Sequence, residues 1–244
     1  MAQQTKKSPR HVRERRWPDI KPDLRGFSRQ GAAFLLGATF ARAAVIRGMQ
    51  PFGVAYVAAA GHPLAAAVGG FAASLTDGGL VYGAASVVIL ACRMVLEGTA
   101  LSRRPGFFAG CAALALLFTK GVVAAAQGMR AMVLLRCECA LCLGFAFMLR
   151  EARDTRSPLS LWGKLTAAMG GILAVLPVTL WEVLSPGRLT AVFLVLCAGA
   201  FGGMAAGVAV GAALGACLDV ALGQGPMLVT AWCLTGLAAG CGGK

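Results

Sequence analysis

The chain reads as an all-α, polytopic integral membrane protein: a helical bundle of about ten membrane segments, several of them short. Three observations predict this class. Of 244 residues, 58% are hydrophobic and only 14% are charged, whereas soluble domains carry roughly 25% charged residues. Between Gly31 and Gly243, apolar runs follow one another with short polar breaks. Most of the 33 glycines sit inside those apolar runs. They do not follow strands, so a glycine-rich phosphate loop is not indicated.

The chain divides into a basic amino-terminal segment, 1–30, and a multi-span domain, 31–244. The net charge is +13, and nine of the 23 basic residues (Lys6, Lys7, Arg10, Arg13, Arg15, Arg16, Lys21, Arg25 and Arg29) precede the first run. Such a segment marks the cytoplasmic side and is drawn to anionic headgroups. No aromatic interleaving accompanies the charge, so nucleic acid is not an expected partner. Arg42 and Arg47 interrupt the first apolar stretch, which argues against a cleaved signal peptide.

A membrane span takes about 20 residues. The runs fall at about 31–48, then 51–61 from Pro51, then to about 75 after the His62-Pro63 break, and then, past a turn at Thr76-Asp77-Gly78-Gly79, 80–99. Arg103-Arg104-Pro105 precedes 106–126, and Gln127-Gly128 precedes 130–149. After the polar loop 150–158 come 164–184, then 189–222, which is too long for one span and is expected to fold into two, then 226–241. Read as two short segments, 51–75 gives ten crossings; read as one broken segment it gives nine, and eight is the lower alternative. Ten places Arg103, Arg104, Arg150, Arg153, Arg156, Lys164 and Lys244 inside, as the positive-inside tendency favours. A break at His62-Pro63 needs its backbone groups covered by neighbouring helices or an interface.

The most ordered pattern is a glycine ladder, Gly203, Gly207, Gly211 and Gly215, and Asp219 continues its register. Spacing of four puts these residues on one helix face, and small residues there admit another helix backbone. The face packs against a neighbour in the same chain or drives self-association, and Asp219 either meets water or forms an ion site. Ionisable residues in or near spans also include Arg93, Glu97, Lys120, Arg130, Arg136, Glu138 and Glu182. Arg93 and Glu97 are four apart and can pair. Lys120 is the most central basic residue and the best candidate for a polar contact at depth. Arg136 and Glu138 point in different directions.

Catalytic material is sparse. With His11 and His62 as the only histidines, a histidine triad or metal site has little to build on. Cys137, Cys139 and Cys142 cluster, but structural zinc sites usually pair two such clusters. No catalytic, cofactor or metal residue is assigned.

Residues 34–60 (FLLGATFARAAVIRGMQPFGVAYVAAA) combine a first span ending in basic residues with a Pro-Phe-Gly step. Together with residues 201–244, they resemble the amino-terminal membrane region of the stage II sporulation protein E family. The resemblance implies a plasma-membrane protein of endospore-forming bacteria, with its amino terminus in the cytoplasm, that is placed at the asymmetric septum. It further implies a central region that engages a tubulin-like cell-division protein. A manganese-dependent serine/threonine phosphatase domain would activate sigma factor F. Neither region has a counterpart here, so manganese and the cell-division partner belong to regions outside these residues, and the chain looks like a truncated member. The expected function is an anchor and assembly module without catalysis, with the lipid bilayer and a second copy of the chain as partners. The alternative is a small-solute or ion permease.

Overall fold

The computed structural model describes residues 24–45, 48–76, 79–104, 106–154, 157–176, 185–223 and 225–242. Arg47, Asp77, Arg156, Glu182, Lys244 and most of the basic segment lie outside them. The described residues form an all-helical bundle: α1 (Leu24–Arg42), α2 (Phe52–Ala59), α3 (Pro63–Thr76), α4 (Leu80–Leu96), α5 (Phe107–Gln127), α6 (Met129–Arg153), α7 (Ser160–Val175), α8 (Pro186–Leu222) and α9 (Met227–Gly242). Three of these, α5, α6 and α8, are long and apolar enough to cross a membrane.

Boundaries follow local chemistry. The first helix takes in residues 24–30 and leaves helical geometry after Arg42, where an expected run continued to 48; a bridge between Val45 and Met49 turns the chain there. Helix α4 stops at Leu96, short of the expected 99, because Glu97 is extended and Gly98 has φ +99°, the left-handed conformation that ends many helices. Gly128, at φ +95°, separates α5 from α6. Helix α7 spans 160–175, and the rest of its expected run lies outside the described residues.

The bundle leaves far more large apolar surface outside than a soluble protein does. Large apolar side chains face outward: Phe201 is 90% exposed and Phe118 is 81% exposed. The interior is rich in alanine, with Ala43, Ala55, Ala66, Ala85, Ala112 and Ala191 fully buried. Helices that meet in lipid gain little from burying large side chains and much from close backbone approach.

At the centre lies the shortest helix. Every residue of α2 except Tyr56 is buried, and α1, α3, α4, α5 and α6 all pack around it. Phe52 of α2 meets Phe145 of α6 edge-on at 4.6 Å, and Phe40 of α1 meets the same ring at 5.5 Å.

Helix α8 is two segments. Gly203 has φ +79° and ψ 179°, far from helical values. A Cβ on Gly207 would stand 2.8 Å from the Cα of Gly199, although eight residues along a straight helix span about 12 Å. The chain therefore doubles back at Gly203, as the length of run 189–222 led one to expect. Helix α9 then packs against both arms.

Candidate functional site

The glycine ladder forms an internal seam. A Cβ at Gly207 would overlap the carbonyl of Gly236, one at Gly211 that of Trp232, and one at Gly215 the backbone of Val229. The sums of these paired positions are nearly constant, so the second arm of α8 runs antiparallel to α9 with backbones in contact. Gly203 differs from the other three: it is the reversal point, and a Cβ there would meet nothing within 4 Å. Its place in the sequence pattern is a coincidence of spacing with a turn.

Asp219 ends the seam, 5% exposed. Its Oδ1 accepts the amide of Leu228 at 3.1 Å, and its Oδ2 accepts that of Val229 at 3.0 Å. These are first-turn amides of α9, which have no acceptor within their own helix. The carboxylate caps α9 from the neighbouring helix and lies at the positive end of its dipole.

Arg93 performs the converse task on α2. Its Nη1 donates to the carbonyls of Val57 at 3.1 Å, Ala58 at 3.3 Å and Ala60 at 2.6 Å. Arg153 Nη1 donates to Ala59 at 2.6 Å. The last carbonyls of α2, freed by the break before Pro63, are thus held by guanidinium groups from α4 and α6. This supplies the cover that a helix break inside an apolar bundle requires. The anticipated pair is present, with Arg93 Nη2 3.2 Å from Glu97 Oε1, but Glu97 is 57% exposed and the contact is secondary to the carbonyls. The Arg93 guanidinium also lies 5.1 Å from the Phe108 ring centroid.

Lys120 anchors the third polar cluster. Its Nζ lies 2.6 Å from Glu138 Oε2 and 2.6 Å from the Tyr82 hydroxyl oxygen. Tyr82 in turn donates to Glu138 Oε1 at 2.6 Å and accepts the Gln50 amide at 3.2 Å. Glu138 is 1% exposed at its side chain and Lys120 27%. A closed ring of three charge-assisted bonds joins α4, α5 and α6. It borders a cavity of about 230 Å³ that Gln127 and Met49 also line.

Sequence reasoning placed Lys120 at depth, named Glu138 only as an ionisable residue in or near a span without joining it to Lys120, and did not single out Tyr82. The signal for Glu138 was present: Lys120 and Glu138 stand at similar distances on either side of Gly128, so a hairpin brings them together. Among the described residues, no group of three or more histidine, cysteine or acidic side chains could hold a metal ion. Cys137 is exposed, Cys142 is buried, and both are free thiols.

Arg93, Arg153, Lys120, Glu138 and Asp219 therefore tie helix ends and helix pairs together within the chain. No protein-family model, curated protein or solved structure matches this chain.

Proposed function

We propose that this chain is a membrane anchor and assembly module that performs no catalysis of its own. The observation that carries the reading is the use of its deep polar groups. Arg93 holds helix carbonyls, Lys120 closes a ring with Glu138 and Tyr82, and Asp219 caps α9. These three groups are spent on contacts within the chain and hold its helices together.

The resemblance of residues 34–60 and 201–244 to the stage II sporulation protein E family gives the anchor its setting. In that setting it sits in the plasma membrane with its amino terminus inside. It concentrates at the asymmetric septum, where it places a sigma factor F-activating phosphatase. Ten crossings fit this reading. Gln50 reaches Tyr82 at one end of the bundle and Ala59 reaches Arg153 at the other, so α2 and α3 run out and back, which favours an even count.

A fluorescent fusion expressed at native level in a sporulating host tests the proposal. Enrichment at the asymmetric septum is expected; uniform membrane signal through septation overturns it. One observation favours the permease alternative: α2 is a buried, discontinuous helix, and such helices line many transport sites. Solute uptake by proteoliposomes that is lost in a Lys120→Met variant would select that reading.

A further inference from the structure

Around the end of α2, four helices leave a pocket of about 310 Å³ whose wall includes Arg93, Arg150 and Arg153 and one carboxylate, Glu97. The charge balance of its ionisable lining is strongly positive. Arg93 is 7% exposed and its Nε–H is buried without an acceptor. A buried donor left unmade is costly, and the side chain that carries it forms part of the pocket wall. Arg150 also lines the pocket, and its Nη1 donates to the Arg104 carbonyl at 3.2 Å. Arg153 reaches across Gly61, where a Cβ would stand 2.5 Å from its Nη2. Neither bond uses all the donors of its guanidinium group, which has five. Ser102 lines the same pocket.

The geometry points to a binding site for a phosphoryl group, supplied by an anionic phospholipid headgroup or by free phosphate. Guanidinium forks match phosphate oxygens in pairs. The pocket lies where α4 and α6 end and α5 begins, the end of the bundle that also carries Arg103 and Arg104. At such an interface, lipid phosphates and soluble phosphate both have access. The inference does not depend on the anchor reading, since a permease with this fold would carry the same pocket.

The test uses the full chain in nanodiscs. Wild type, Arg150→Gln and Arg150→Gln/Arg153→Gln are compared with Arg130→Gln/Arg136→Gln, which removes equal charge from the other end of α6. Retained phosphatidylglycerol is read by native mass spectrometry, and thermal protection by inorganic phosphate is read in phosphatidylcholine discs. A lipid site predicts that retention falls roughly tenfold in the double variant, less in Arg150→Gln and not in the control. A free-phosphate site predicts that phosphate raises the wild-type midpoint and that the double variant loses this effect. Arg150→Gln keeps the Arg153 bond to α2, so its response does not depend on that cap. Equal behaviour of the control and both pocket variants in both measurements overturns the proposal.

Discussion

Glu138 is the residue on which the bundle's interior chemistry turns. Replacing it with leucine leaves the Lys120 ammonium half-buried without its counter-charge. Breaking one side of such a pair costs about 3 kcal/mol, and replacing both sides with apolar groups is often neutral. Glu138→Leu is therefore expected to lower stability by about that amount in a denaturant titration in micelles, and Lys120→Met/Glu138→Leu to recover most of it. A double variant as weak as the single one would refute the ring's role. Asp219 gives a gentler test. Asp219→Asn keeps an acceptor for one of the α9 amides but removes the charge at the dipole, for a loss of about 1 kcal/mol; Asp219→Ala loses both bonds and about twice as much. If alanine and asparagine proved equal, the bond count would not be what matters.

Among the elements, the α8–α9 unit makes the sharpest claims. Gly211 has the Trp232 backbone against it, so Gly211→Leu is expected to cost 3 kcal/mol or more, beyond the roughly 1–3 kcal/mol of ordinary overpacking. Since α9 of the same chain occupies the face, the variant is expected to lose stability without a separate loss of self-association. A membrane two-hybrid signal abolished by Gly211→Leu while folding stays intact would show instead that the face serves another copy. Gly203→Ala acts differently. It meets no neighbour, and its cost of about 1–3 kcal/mol comes from a backbone conformation that L-residues avoid. Pattern made the ladder and the need for two segments legible. The partner was not, because spacing of four states which residues share a face and is silent on what covers it. Nor could spacing tell Gly203 from its companions, since turn and seam both favour glycine.

At the scale of the whole molecule, the bundle has two ends, and the pocket arginines Arg93, Arg150 and Arg153 lie at one of them. Single cysteines introduced at Gly128 and at Asp154 in a cysteine-free background should label from opposite sides of an oriented vesicle, because α6 alone separates them. Labelling from one side would remove α6 as a crossing. Composition, charge and the run of apolar segments were enough to anticipate an all-helical bundle of apolar segments and its approximate element count. These follow from solvent: a chain this apolar must satisfy its backbone within helices. Only the tertiary structure made α2, the shortest and most ambiguous run, the buried hub, and only it joined Arg93 to the α2 carbonyls, Lys120 to Glu138 and Asp219 to α9. Those choices depend on contacts between segments far apart in the chain, where periodicity carries no information and the cost of an unpaired polar group at depth selects the arrangement.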